Sequence, residues 1–302
     1  MKKVAVLMGG WSAEREVSLS SGKGVAEALR QSGYDVAEID APHDPAALIA
    51  ALSPRPDVVF NALHGRGGED GHVQAVLNLL RIPYTHSGLL ASALAMDKPL
   101  AKDVFRAAGL PVPEGRIATR AEIVAGQVMP APYVVKPTNE GSSVGVIIVR
   151  LGDNRPIGAS EVNDEMLVER FIEGRELTVA VMGDKTLGVI EIVARGSWYD
   201  YESKYATGGS EHIIPAAIHP KAYEQAGAIA LAAHKALGCR GISRADFRYD
   251  DTSGEPGKLY LLEINTQPGM TPTSLVPDAG RHFGISYADL VTWMVENATC
   301  DA

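Results

Sequence analysis

The strongest constraint on the fold lies at the start of the chain. Residues 3–8 form a short run that is apolar at every position after Lys3 and stops at Gly9-Gly10. A strand without polar alternation has to be covered on both faces, which is the situation of a parallel sheet flanked by helices. The same alternation of units continues. Residues 20–33 carry helical spacing through Val25, Ala28 and Leu29, residues 36–39 read as a second strand, 45–52 as a helix and 57–63 as a third strand. Residues 71–80 then read as a helix with Val73, Val76, Leu77 and Leu80 on one face. The first third of the chain is therefore expected to be an α/β layer fold around a parallel sheet.

A second region starts near Ser92. Residues 97–109 have helical character and are stopped by Gly109, Pro111 and Pro113. Strands are expected over 133–136, 144–149 and 166–171, while residues 150–165, broken by Gly152, Pro156 and Gly158, read mostly as loop. In the last region two strand-like runs, 176–182 and 186–193, meet at Gly183-Asp184, a hairpin signal. Residues 198–214 are polar and lack a clear period, and a connection of that length is usually functional. A helix over 219–237, strands over 241–249 and 258–265 and a helix over 287–297 complete the chain. Three units are expected: 1–95, 96–175, and 176–302 with a lid loop at 197–214.

Composition narrows the partners. Hydrophobic residues make up 46% and charged residues 22% of the 302, an ordinary globular balance with room for two or three cores. A net charge of −9 leaves no general basic surface for a nucleic acid. The run 4–8 is too short for the apolar part of a signal peptide and nothing later reaches the length of a membrane span, so a cytoplasmic protein is expected. Cys239 and Cys300 stand far apart, without a metal or redox spacing.

Four groups of residues could carry chemistry, the first of them a pair of strands. Arg244-Ala245-Asp246 and Glu263-Ile264-Asn265 each place polar residues two apart on a strand, so both point to one face. Two carboxylates and an amide oxygen on adjoining strands make a hard oxygen site suited to magnesium; the alternative is a solvated face with an Arg–Asp pair. The apolar neighbours Phe247, Leu259, Leu261, Leu262 and Ile264 favour the metal, because charges buried without a ligand are costly. Residues 136–145, Lys-Pro-Thr-Asn-Glu-Gly-Ser-Ser-Val-Gly, are small enough to bring backbone amides close to a phosphate, or to form an ordinary hairpin turn. They are not a Walker loop, and Gly9-Gly10 does not complete a dinucleotide fingerprint. Glu14-Arg15-Glu16 lies at the carboxyl end of the first strand, the edge where open α/β sheets bind ligands. Glu14 there is either an anchor for an amino group or part of a solvated helix start. His64, in the equivalent loop after the third strand, is either a ligand contact or simply exposed.

Together these segments resemble the D-alanine–D-alanine ligases of the ATP-grasp superfamily. The resemblance runs through Glu14-Arg15-Glu16-Val17-Ser18, His64-Gly65 with Gly68-Glu69-Asp70-Gly71, Asp97-Lys98 and Glu140-Gly141-Ser142-Ser143-Val144-Gly145. It continues in Tyr199-Asp200-Tyr201 with Lys204-Tyr205, Arg244-Ala245-Asp246, Glu263-Ile264-Asn265-Thr266, Pro268-Gly269-Met270-Thr271 and Ser274-Leu275. It covers essentially the whole chain in the family's order and spacing. One departure is visible: 150–165 is rich in helix breakers where the family usually has a helix.

The resemblance implies a Rossmann-like, pre-ATP-grasp N-terminal domain followed by a two-domain ATP-grasp fold, with ATP between the central and C-terminal domains. It implies that Lys98 and Lys136 contact phosphates, that Lys204 also binds ATP, that Ser142 and Ser143 lie on the covering loop, that Glu169, Arg170 and Ile172 recognise adenine, and that Glu176 holds the ribose. Asp246, Glu263 and Asn265 would hold two magnesium (or manganese) ions. Glu14 would anchor the first D-alanine with His64 nearby, Arg244 and the Gly269 amide would stabilise the oxyanion, and Ser274 and Leu275 would receive the second D-alanine. Ser142, Tyr205 and Glu14 would form a hydrogen-bonded set, and a tyrosine at 205 goes with dipeptide formation. A homodimer is implied as well. An ATP-grasp ligase for a different small acid or amine is the nearest alternative, against which Glu14, Tyr205 and Ser274 count. A non-catalytic nucleotide-binding regulator would be expected to lack Arg244, Asp246, Glu263 or Asn265, and all four are present. A nicotinamide dehydrogenase has little local support.

Overall fold

The computed structural model describes residues 1–141, 144–153, 155–194 and 209–301. The chain opens with the expected parallel sheet. Strand β1 (Lys3–Met8), helix α1 (Arg15–Gln31), β2 (Asp35–Asp40), α2 (Pro45–Ala51), β3 (Val58–Asn61) and α3 (His72–Leu79) alternate, and the strands lie in the order β2-β1-β3. Gly22 lets α1 lie directly on the central strand: a Cβ there would come within 2.5 Å of Met8 Cβ. The helix starts at Arg15, five residues before the apolar period does. Its polar first turn is held by tertiary contacts instead, with Arg15 donating to Gly10 O at 2.8 Å and pairing with Asp40 at 2.5 Å.

Next come two helices that apolar spacing only half reveals. Helix α4 (Leu89–Met96) is apolar nearly all round and so has no period of its own, whereas α5 (Lys98–Ala107) is capped by Asp97, which accepts from the Leu100 amide at 3.0 Å. A four-stranded antiparallel sheet follows, in the order β4-β7-β5-β6. It is built from β4 (Gly115–Thr119), the short helix α6 (Arg120–Val124), β5 (Tyr133–Lys136), β6 (Ile147–Val149) and β7 (Glu165–Arg170). The strand expected over 144–149 is shorter than read. Val144 and Gly145 belong to a turn, with Val144 N bonded to Gly141 O at 3.2 Å and Gly145 at φ +70°.

The largest sheet has five antiparallel-paired strands in the order β10-β9-β8-β11-β12. Its parts are β8 (Arg175–Met182), β9 (Lys185–Ala194), β10 (Ser210–Ile213), helix α7 (Pro220–Ala236), β11 (Ile242–Asp250) and β12 (Lys258–Asn265); α8 (Leu275–His282) and α9 (Tyr287–Glu296) end the chain. The segment 198–214 is thus not loop throughout. Its last residues add an edge strand to β9, Ser210 opposite Ala194 and Ile213 opposite Glu191, a pairing that no local period announces. Most of the expected lid, with Lys204 and Tyr205, lies outside the described residues, as do Ser142 and Ser143.

Side-chain packing joins the parallel sheet to the five-stranded one. Val4 and Phe60 of the parallel sheet share one core with Ile190 and Ile242 of the five-stranded sheet and with Val276 and Leu290 of α8 and α9. The opposite face of the five-stranded sheet, through Phe247 and Leu261, packs on α7 and on Ala101 and Phe105 of α5. The four-stranded sheet has a small core of its own, around Ala118, Val135 and Val168. Ala95 and Phe105 pack in one core with Leu177 and Phe247, so residues up to 95 and after 175 meet there. Among the described residues no helix is long and apolar enough to cross a membrane.

Two consequences can be measured. Phe105 is fully buried against the five-stranded sheet, so Phe105→Ala should cost about 3–5 kcal/mol in urea unfolding. His234, bonded to Ser243 Oγ at 2.7 Å, is pushed down to about 4 by burial, and burial pushes His86 down to about 3. The unfolded chain protonates both near pH 6.5, so it binds more protons than the folded one below that pH. Stability should be complete above about pH 6.5 and fall as pH drops toward 4, by up to about 1.4 kcal/mol per pH unit for each histidine. His234→Gln should make that slope shallower.

Candidate active site

The register of β11 against β12 builds the centre of the site. Arg244 lies opposite Asn265 and Asp246 opposite Glu263, and a register shift follows immediately after Asp246. Asp246 is buried and accepts from Arg244 Nε at 2.8 Å and Nη2 at 2.7 Å, from Thr178 Oγ1 at 2.6 Å and from Asn265 Nδ2 at 2.9 Å. Lys98 Nζ lies 3.3 Å from Glu263 and donates to Glu140 O at 2.6 Å. Among the described residues no group of three His, Cys, Asp or Glu side chains could hold a metal; the set here is two carboxylates and an amide. These are hard oxygen donors, and Lys98 and Arg244 now compensate their charge. A divalent cation sharing further ligands with a phosphate would fit that set.

One cavity, of about 410 Å³, lies between the four-stranded and five-stranded sheets. Lys98, Lys136, Glu169, Arg170, Ile172, Glu176, Asp246 and Glu263 line it, with apolar walls from Val134, Ile148, Phe171 and Leu262. At its floor the Glu169 carboxylate is 2.5 Å from Lys136 Nζ and 2.7 Å from Lys102 Nζ. Burial alone would raise Glu169, but the two ammonium groups outweigh it and hold the carboxyl below the usual range. Burial, and then the neighbouring Lys136, pushes Lys102 down to about 8. Sequence reasoning missed Lys102, although its position one helical turn from Lys98 was a signal. It also missed Arg248, which donates to Ile172 O at 3.1 Å and Gly174 O at 2.7 Å and so shapes the turn beside Glu176.

A second cavity, of about 490 Å³, is lined by Glu14, His64, His212, Arg244, Asn265, Gly269, Ser274 and Leu275. Glu14, at the start of α1, is crowded by two glycines: a Cβ on Gly65 or Gly141 would lie 2.9 or 3.3 Å from its Oε2. His64 is buried, with Nε2 3.4 Å from Ser21 Oγ and Nδ1 3.6 Å from Glu69. Ser274 Oγ accepts from the Thr271 amide at 3.1 Å, and a Cβ on Gly269 would stand 3.0 Å from it. Beneath, buried Gln267 accepts from Asn61 Nδ2 at 2.7 Å and donates to Leu63 O, tying the end of β3 to the loop after β12. Every expected site residue among the described residues lines one of the two cavities, and both cavities include Glu263 and Gly141.

Two antiparallel sheets enclosing a lysine- and carboxylate-lined cavity, joined to a parallel-sheet domain that closes a second cavity, define an ATP-grasp ligase. Family models for the D-ala D-ala ligase N-terminus and C-terminus match residues 43–87 and 104–296. The D-alanine–D-alanine ligase of Parvibaculum lavamentivorans is 63% identical over 99% of this chain and 98% of its own length; that of Paramagnetospirillum magneticum is 60% identical over 99% of both. The crystal structure of the Bacillus anthracis enzyme complexed with ATP superposes with a TM-score of 0.80 at 30% identity, covering 98% of this chain and 96% of that one. The VanG D-Ala:D-Ser ligase of Enterococcus faecalis gives 0.78 at 29% identity over 98% of each chain. The chain belongs to the D-alanine–D-alanine ligase family.

Removing one charge from the buried Lys102–Glu169–Lys136 group leaves the others poorly matched. Lys102→Met should cost about 3 kcal/mol in urea unfolding, and Lys102→Met with Glu169→Gln should cost less than the two single changes added together.

Proposed function

We propose that the protein joins two D-alanine molecules into D-alanyl-D-alanine at the expense of ATP, in the cytoplasm, for peptidoglycan precursor synthesis. The observation that carries this reading is the meeting of two cavities at Glu263, one lined with lysines for a nucleotide and one lined by Glu14, Arg244 and Ser274, groups that suit an ammonium and a carboxylate. In it Lys98 and Lys136 bind the phosphates, Glu176 the ribose hydroxyls, and Glu169 with the backbone at Arg170 and Ile172 the adenine. Asp246, Glu263 and Asn265 would hold two magnesium (or manganese) ions, which when bound neutralise phosphate charge. Ser142, Ser143 and Lys204 would contact the nucleotide and Tyr205 would act with Glu14.

Glu14, with His64 behind it, holds the ammonium of the first D-alanine so that its carboxylate faces the γ-phosphate. Attack there gives an acyl phosphate and ADP. Ser274 and the Leu275 amide hold the carboxylate of the second D-alanine, which places its nitrogen toward the activated carbonyl. Arg244 and the Gly269 amide face the oxyanion formed as nitrogen attacks, where fixed donors lower the barrier most. Ser142, Tyr205 and Glu14 close the site and exclude water from the acyl phosphate. Leu79 and Leu90, exposed on α3 and α4, support a homodimer.

Phosphate release with ATP, magnesium and D-alanine, and product mass, test the reading. D-Alanine alone should drive release and give its dipeptide. Release only with D-lactate, D-serine or another acid or amine would move the assignment to a ligase of different substrate. Glu263→Gln should abolish ligation with little change in melting temperature; normal turnover would overturn the metal-holding role.

A further inference from the structure

The second amino acid arrives at neutral pH as an ammonium ion, and an ammonium nitrogen cannot attack a carbonyl. The cavity that would receive it therefore needs a proton acceptor. Glu14, Glu16, Glu69 and Glu263 are the acidic side chains lining that cavity, and Arg244 is a fixed cation. His64 is turned to Ser21 and Glu69 through its two ring nitrogens. His212 is placed differently. It projects from edge strand β10 into the cavity wall, and its Nδ1 is 2.7 Å from Asp278 Oδ2.

Asp278 is itself fixed. Its other oxygen accepts from Arg281 Nη1 at 2.9 Å, and Arg281 donates to Pro272 O at 2.8 Å. The Asp278 amide bonds to Ser274 O at 3.0 Å, so the carboxylate sits one helical turn from the serine assigned to the second substrate's carboxylate. Burial would raise the Asp278 carboxyl, but His212 and Arg281 outweigh it and hold it below the usual range. An ionised aspartate on Nδ1 fixes the tautomer with the proton on that nitrogen and leaves Nε2 as the proton-accepting atom. The other charged groups lining the same cavity are Glu14, Glu16, Glu69, Glu263 and Arg244.

We propose that His212, oriented by Asp278, is the general base that takes a proton from the ammonium group of the second D-alanine; this rests on the ligase reading above. His212 Nε2 accepts one proton, and the freed nitrogen lone pair attacks the acyl phosphate carbon. The carbon–nitrogen bond forms, the carbon–oxygen bond to phosphate breaks, and the second nitrogen proton leaves with the phosphate. The imidazolium returns its proton to solvent.

Hydroxylamine separates this role from a structural one, because its nitrogen is already unprotonated at neutral pH and still captures an acyl phosphate as a hydroxamate. With ATP, magnesium and D-alanine, His212→Gln should lose about 100-fold or more in dipeptide kcat while D-alanine hydroxamate formation stays unchanged. Asp278→Asn should show the same selective loss, smaller in size. Equal loss of both products in both variants, or no loss of dipeptide, overturns the base. Wild-type protein that forms no hydroxamate from D-alanine overturns the ligase reading first, and the base with it.

Discussion

Everything at the junction of the two cavities depends on the antiparallel register of β11 with β12. That register sets Asp246 opposite Glu263 and Arg244 opposite Asn265, on one face, where the two cavities meet at Glu263. A slip of β12 by one residue would turn Glu263 and Asn265 to the opposite face and put Ile264 in the cleft. The register is held from behind by Phe247, Leu261 and Ile264, which are buried under α7 and α5. Hydrophobic packing on one side of the sheet thus fixes the charge arrangement on the other.

The charges themselves are arranged in compensated groups. Lys98 serves Glu263, Arg244 serves Asp246, and Lys102 and Lys136 share Glu169. In a water-poor cleft an unmatched charge is expensive, so each group that would meet a phosphate or a cation already has a protein partner to exchange for it. Lys102 is the least exposed of these residues, and it keeps Glu169 ionised without facing the cavity itself. The shared core beneath the parallel and five-stranded sheets makes a common floor for both cavities. The four-stranded sheet, resting on its own small core, forms the opposite wall of the first.

Much of this was legible beforehand where local chemistry and spacing suffice. The strand–helix alternation of the first 80 residues, the hairpin at Gly183-Asp184 and the same-face pairs Arg244/Asp246 and Glu263/Asn265 all came from periods of two or 3.6. The elements that were missed have weak periods. Helix α4 is apolar nearly all round, β4 and α6 are short, and α8 begins directly after Ser274 with mixed polarity. Strand β10 exists because β9 offers an unpaired edge, which no property of Ser210–Ile213 alone could declare.

By itself the sequence determined the layer type, the family and the set of chemically apt residues, because apolar period, glycine placement and motif order are properties of neighbouring positions. Only the tertiary structure decided which of those residues share a space. Lys102 meets Glu169 across 67 positions, and His212 meets Asp278 across 66; both contacts exist because sheets and helices distant in sequence pack on common cores. The same packing brings Gln267 under Asn61 and divides the cleft into two cavities at Glu263. Pairing of buried charge is a condition on three-dimensional neighbours, and no reading along the chain can impose it.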